Sequence, residues 1–318
     1  MIFDDLRDDL GIGERELLHL IDTAPARYKT YPIAKRSGGT RTIAQPAREI
    51  KTLQYYVLEH VISRLPVHDI ATAYRVGIGI QDNADHHRRN QCILKLDFVS
   101  FFNSLTPNDL NRAFRLSNVE LDDGEPRLIN KILFWSGTKS KTPRFLSIGA
   151  PSSPMVSNVI MHDIDVATAK LASELSVTVT RYADDITASS NNHGNLIWFE
   201  RALRDLISKT RHPKLKFNEE KRGLYFMGER RMVTGLIITP DSKVSIGRER
   251  KRRIAAMIHR ATLDQLNLDQ LNELHGLLAF AYSVEPTFIR SMSKKYDRDV
   301  LAYIRGRVRR AQLTAVTE

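Results

Sequence analysis

The sequence predicts an α+β protein on three observations. Apolar residues recur at helical spacing, alternating runs flank tight turns, and the composition shifts to a separate helical unit near residue 240. The segment VTVTRYADDITASS, Val177 to Ser190, carries the strand signal. Val177 and Val179 fall on one face and Thr178 and Thr180 on the other, so the halves flanking Ala183 to Asp185 form a β-hairpin. Two adjacent carboxylates, Asp184 and Asp185, then stand at its turn, where like-charge repulsion and loss of water both oppose ionisation.

The other elements follow in order. The N-terminus, MIFDDLRDDLGIGE, is acidic and lacks the basic and apolar regions of a secretory signal. KRSGGTRTIAQP places a Gly-Gly turn between two short extended pieces, a basic hairpin feeding a helix. Ile50, Leu53, Val57, Val61, Ile62 and Leu65 define an amphipathic helix over residues 47–65, stopped by Pro66. CILKLDFVSFF begins as a buried strand and brings Asp97 to its end. IGAPSSPMVSNVIMHDID sets small residues and two prolines before a helix from Met155 onward. Beyond residue 240 the pattern is helical, with Ile254, Met257 and Ile258 on one face. The expected divisions are 1–90, then 91–240 with an insertion at about 107–147, then 241–318.

A formal charge of +11 and an isoelectric point near 9.7 point to a polyanionic partner. Nucleic acid is favoured over a membrane, because no amphipathic or lipidation signal accompanies the charge and no apolar run approaches a membrane span. From Lys243 onward 15 Lys plus Arg face 8 Asp plus Glu, so the positive field is concentrated in the last quarter. Cys92 is the only cysteine, which excludes an intrachain disulfide and fits a reducing, cytoplasmic setting. His86, His87 and Cys92 match no closed four-ligand zinc spacing.

Paired carboxylates on a turn make sense if a divalent cation sits between them, because its charge reverses the local penalty. Asp97, at the end of an apolar strand, is the natural third carboxylate. Mg²⁺ takes a few such ligands and completes its shell with water and substrate phosphates, and two ions so held can drive an in-line displacement.

RYADD resembles the catalytic hairpin of reverse transcriptases, and LKLDFVSFFNSL their strand bearing the first catalytic aspartate. GGTRTIAQP is similar to the fingers motif, GAPSSPMVSN to the small-residue motif opening the palm helix, and LKFNEEKR to the strand with a lysine near the nucleotide. NADHH, Asn83 to His87, and VTGL, Val233 to Leu236, resemble two elements of bacterial retron reverse transcriptases. The resemblance covers most of residues 28–260 and implies a right-hand polymerase fold, with fingers, an antiparallel palm sheet and a basic helical thumb matching the three divisions above.

By that resemblance Asp97 and Asp184 are the principal ligands of two Mg²⁺ ions, Asp185 is the third carboxylate, and Phe98 lends a backbone carbonyl. Phe102 is a steric gate against a ribose 2′-OH, with Phe101 its buried neighbour. Arg41, with Lys35 as companion, holds the triphosphate. Gly149, Ala150 and the residues through Ser153 let template and nucleotide approach the backbone, and Lys221 acts near the pyrophosphate. Ile148 stands where many reverse transcriptases have Gln. Asn83 and His87 are RNA contacts or structural hydrogen-bonders. Arg248, Arg250, Lys251, Arg252 and Arg253, five cations in six residues at a helix start, need an anionic partner and are expected to bind RNA.

The resemblance further implies RNA-templated synthesis from dNTPs, copying part of a cognate noncoding RNA from a 2′-OH primer into branched msDNA. It also implies anti-phage defence with an effector encoded nearby and a host RNase H to trim the template. Two alternatives stand beside this: a reverse transcriptase of the group II intron or diversity-generating type, and a ribonucleoprotein scaffold that restrains a toxin.

Overall fold

In the computed structural model the described residues are 2–34, 38–117 and 119–317. They begin with helices α1 (Ile2–Leu10) and α2 (Glu14–Thr23), the hairpin β1 (Tyr28–Ala34) and β2 (Thr40–Pro46), then α3 (Arg48–His60) and α4 (Ile80–His87). Next come β3 (Cys92–Asp97), α5 (Phe101–Ser104), α6 (Pro107–Leu116), α7 (Glu125–Leu133) and α8 (Ser153–Glu174). The second hairpin, β4 (Thr178–Tyr182) and β5 (Asp185–Ser190), leads to α9 (His193–Lys209) and β6 (Gly223–Tyr225). The chain ends with β7 (Met232–Val233), β8 (Leu236–Ile238), β9 (Val244–Ser245), α10 (Arg248–Thr262), α11 (Leu268–Val284), α12 (Pro286–Lys295) and α13 (Val300–Thr317).

Two compact units result, one from residues up to 78 with 91–224, the other from 79–90 with 225–318. In the first, strands pair in the order β4-β5-β3-β6. β3 is buried along nearly its whole length, which is why it reads as an apolar run rather than an alternation. Leu94, Leu96, Ile186 and Ala188 of the sheet share one core with Val156, Val159 and Ile160 of α8 and Leu196, Phe199 and Leu203 of α9. Burial of these side chains contributes roughly 1.5–3 kcal/mol for each large aliphatic or aromatic group, before chain entropy is set against it.

The predicted helix over 47–65 is interrupted. α3 stops at His60, Val61 leaves helical geometry, and a 3₁₀ turn at Ile62–Arg64 follows. Leu65 is extended at ψ 144°, as the residue before a proline is forced to be. The helix predicted from Met155 starts two residues earlier, at Ser153, with Pro154 in its first turn where a missing N–H costs nothing. LKFNEEKR is not the continuous strand expected. Phe217 makes one bridge to Phe98, then Asn218 Oδ1 accepts from Glu220 N (3.2 Å) and opens a 3₁₀ turn, Glu219–Lys221.

The second unit pairs β7-β8-β9 and carries α10 to α13. Residues 79–90 belong here rather than with the N-terminal segment. Thr234 Oγ1 donates to Ile80 O (2.9 Å), and the buried Arg231 Nη1 donates to Asn90 O (2.6 Å). The unit also begins at 225 rather than 241, because the short strands flanking Thr234 supply those bonds. Among the described residues no helix is long and apolar enough to cross a membrane.

Candidate active site

Strand register brings the aspartates together. β3 and β5 run antiparallel with Asp97 opposite Asp185, and Asp184 sits in the turn just before β5. Asp184 O accepts from Phe98 N (3.2 Å), and Asp97 O accepts from Asn218 N (2.7 Å), so both chain ends at the site are tied by backbone. The Phe98 ring is buried and stacked on Phe217 at 4.9 Å between centroids, and among the described residues no hydrogen bond uses the Phe98 carbonyl.

The turn is held by a side chain whose role has no local signature in the sequence. Arg181, 1% exposed, makes a bidentate pair with Asp165 of α8 (Nε–Oδ1 2.7 Å, Nη2–Oδ2 2.5 Å). Its Nη1 donates to Ala183 O at 3.0 Å and to Asn158 Oδ1 at 3.3 Å. Ala183 lies at φ 57°, a left-handed conformation that costs a residue with a Cβ roughly 1 kcal/mol or more. The guanidinium, planar and always charged, bonds the carbonyl of that strained residue and anchors it to α8.

The electrostatics fit a divalent cation. Burial, then the charge of Asp97, raises Asp184 above the ordinary carboxylate range. Burial, then a hydrogen bond with Asp97, pushes Asp185 up to about 7. Lys221 Nζ donates to Asp97 Oδ2 at 2.7 Å. Its partial burial opposes the charge, but that bond and the aspartate charges outweigh it and raise the ammonium. Among the described residues no group of three or more carboxylate, imidazole or thiol side chains is arranged to hold a metal ion. Mg²⁺ commonly takes only one or two protein carboxylates and completes its shell with water and substrate phosphates. Asp97, Asp184 and the Phe98 carbonyl could supply such a donor set, with Asp185 adjoining.

Beside them opens a cavity of about 380 Å³ lined by Phe102, Gly149 and Ala150, together with Lys51, Tyr55 and Tyr74. Phe101 is buried and Phe102 half-buried, so the first packs into the core and the second forms part of the cavity wall. Gly149 has a reason beyond the one expected. At φ 119° a Cβ there would lie 2.8 Å from Ile43 Cγ2 and 3.1 Å from Ala44 O, so the glycine is demanded by the protein's own β2. Ala44 N donates to Ile148 O (2.8 Å), which ties the hairpin to the residue standing where Gln is usual. Arg41, on β2, is exposed and close enough to lower the Asp184 carboxyl, although burial prevails there. Lys35 lies outside the described residues. Lys51 and Tyr74 are not legible as site residues in the sequence, because a lysine on a helix and a tyrosine in a loop carry no local signal.

In the second unit Asn83 and His87 are both 0% exposed, so neither offers a surface to RNA; they serve the fold of α4 against the short sheet. Burial, with a smaller push from His86, holds the His87 imidazole down at about 3. An unfolded chain titrates near 6.5. Above that pH both states are neutral. As pH falls from 6.5 to 3 only the unfolded chain takes up the proton, so stability is lost at up to about 1.4 kcal/mol per unit. Melting at pH 7, 5.5 and 4.5 should show this slope flattened in His87→Gln, and an unchanged slope would contradict it.

The five cations of α10 are only partly available. Lys251 Nζ bonds Glu285 Oε1 (2.6 Å), Arg253 pairs with Glu273, and Arg250 lies 5.0 Å over the Phe280 ring. Neighbouring helices therefore supply part of the anionic complement expected of RNA. Among the described residues Arg248 and Arg252 make no ion pair and are exposed.

An antiparallel sheet that ends in three aspartates beside a nucleotide-sized cavity defines a nucleic acid polymerase of the right-hand class. Residues 33–248 match the family described as reverse transcriptase (RNA-dependent DNA polymerase), and the chain belongs to that family. It is an RNA-directed DNA polymerase, and enzymes of this family use divalent metal ions. The relatives are of the retron type. The Retron Ec83 reverse transcriptase of Escherichia coli is 36% identical over 288 residues, which cover 90% of this chain and 92% of the relative. The Retron Ec86 reverse transcriptase of the same organism is 32% identical over 307 residues, covering 93% and 91%. Among solved structures, telomerase from Candida albicans in complex with a telomeric RNA fragment superposes with a TM-score of 0.50 at 12% identity, a likeness of fold alone. That match covers 86% of this chain and 56% of the telomerase.

Proposed function

We propose that this polymerase copies part of a cognate noncoding RNA into single-stranded DNA, primed from a 2′-hydroxyl of that RNA and left branched to it, in anti-phage defence with a partner effector. The observation that carries the reading is that two retron-type elements lie in one unit, Asn83 to His87 on α4 and Val233 to Leu236, whose Thr234 bonds Ile80 at the start of that helix, in a chain 36% identical to a retron enzyme. Group II intron and diversity-generating types are not favoured by either.

Within this reading Asp97, Asp184 and the Phe98 carbonyl would hold two Mg²⁺ ions, which when bound would activate the attacking hydroxyl and stabilise charge on the leaving group. Asp185 adjoins them as the third carboxylate, its ionised form favoured once a cation is bound. Arg41 grips the triphosphate bidentately, with Lys35 and Lys51 adding charge. The primer hydroxyl releases its proton to solvent as its oxygen bonds to the α-phosphorus and the bond to the bridging oxygen breaks, and Lys221 gives a proton to the departing pyrophosphate. Phe102 fills the space that a 2′-OH would need, and Ala150 with Gly149 forms the opposite wall. Arg248 and Arg252, rather than all five cations, present the thumb's contact to RNA.

Removing the ring should relax sugar choice. Phe102→Val is expected to raise ribonucleotide incorporation at least roughly tenfold relative to dNTP, a difference of about 1.4 kcal/mol. Single-turnover extension with each substrate checks this, and unchanged discrimination would return Phe102 to packing. The wider proposal is tested by sequencing nucleic acid that copurifies with the chain. Branched RNA-linked DNA of one sequence supports it, and heterogeneous linear RNA without attached DNA overturns it.

A further inference from the structure

An open groove of about 1080 Å³, larger than the nucleotide cavity and sharing no lining residue with it, lies in the first unit. The start of α6, α7 and the segments 141–145 and 211–214 form its walls. Six cations line it: Arg127, Lys131, Lys141, Arg144, Arg211 and Lys214. Its one carboxylate, Asp109, is 3% exposed and already engaged. Asp109 Oδ2 accepts from Thr106 N and Oγ1 at 2.7 Å each, and His212 Nδ1 lies 3.2 Å from Oδ1.

Lys131 and Lys141 share Asp22. Among the described residues the other four, Arg127, Arg144, Arg211 and Lys214, make no ion pair. Cations of one sign around a concavity focus a positive potential into it, which a phosphodiester chain satisfies better than a single small anion. The volume lies at or above the roughly 300–1,000 Å³ of small-molecule sites.

Asn130 provides the second observation. It lines the groove, is 5% exposed, and its Nδ2 donates to Asn111 Oδ1 (2.9 Å), while its own Oδ1 has no partner. Turning the amide over would leave the nitrogen unpaired instead of the oxygen, since Asn111 meets only one of the two atoms. A buried acceptor left open is costly, and a ligand hydroxyl would meet it.

We propose that this groove holds a segment of single-stranded RNA, its phosphates on Arg127, Arg144, Arg211 and Lys214 and a ribose 2′-hydroxyl donating to Asn130. A flexible strand is favoured over a duplex because the cations are spread around one concavity, whose course a bending phosphodiester chain can follow. The groove is thus an RNA site of the polymerase outside its catalytic pocket, with which it shares no lining residue.

The test uses the full chain and unstructured RNA and DNA oligonucleotides of one sequence, roughly 15 nucleotides long, with binding followed by fluorescence anisotropy across a salt series. Arg127→Gln with Arg144→Gln, and separately Arg211→Gln with Lys214→Gln, should each weaken RNA binding at least several-fold. The slope of log affinity against log salt should fall by about 0.7 for each phosphate that is no longer neutralised. Extension of a short preformed primer-template at saturating concentration should keep its wild-type rate. Asn130→Ser, with melting checked, should narrow the preference for RNA over DNA. Unchanged affinity and slope in both double variants would overturn the proposal. So would a raised KM for dNTP with RNA affinity unmoved, which would make the groove a nucleotide path. Equal RNA and DNA binding by the unaltered chain would overturn the ribose contact.

Discussion

Asp184→Asn or Asp97→Asn abolishes DNA synthesis, lowering the rate at least roughly 10³-fold, about 4 kcal/mol of transition-state stabilisation. On the proposed reading the carboxylates would hold the cation, and an amide keeps the shape but not the charge. The Asp184 substitution leaves the fold intact or firmer. Burial and Asp97 raise the Asp184 pKa, so its ionised form costs stability at neutral pH, and Asn removes that cost. RNA binding survives, because the cations that line the groove and face outward from α10 are untouched. The measurements are primer extension, melting temperature and RNA affinity on one preparation. An Asn variant that extends primers near the wild-type rate would refute the assignment, and a large fall in melting temperature would trace the loss to misfolding.

Arg181→Met should lower stability by roughly 3–5 kcal/mol, the usual cost of leaving one partner of a buried ion pair uncompensated. At about 2–4 °C per kcal/mol for a unit of this size, the melting temperature drops by roughly 10 °C. The double variant Arg181→Met with Asp165→Leu should recover most of that drop, since an apolar pair of similar volume no longer buries a lone charge. Activity should stay low in the double variant, because the Ala183 carbonyl still lacks the donor that holds the left-handed turn in front of Asp184. Recovery of both stability and activity would make Arg181 a packing residue only.

The contrast between these two sites shows where sequence is informative. Asp184 and Asp185 are legible because they break a period-two pattern, and Asp97 because it ends an apolar run; both signals are local. Arg181 lies three residues before Asp184, and nothing beside it in the sequence names its partner, Asp165, on α8. Asn83 and His87 are legible as a motif, yet the motif does not say whether they face RNA or the interior. Their burial depends on β8, more than a hundred residues onward. The basic start of α10 invites an RNA partner, and Glu273 and Glu285 on or after the next helix meet part of that charge.

By itself the sequence determined the α+β class, the two hairpins, the family and the three aspartates as candidates for the site, because period, turn chemistry and motif order are properties of neighbours along the chain. Only the tertiary structure decided that β3 and β5 pair with Asp97 opposite Asp185 and that Arg181 is buried against Asp165. It alone showed that Gly149 makes room for β2, that residues 79–90 belong with the C-terminal unit, and that six cations surround one groove. Each of these rests on groups far apart in sequence, whose charge, desolvation and steric contact take their values only when the chain has folded.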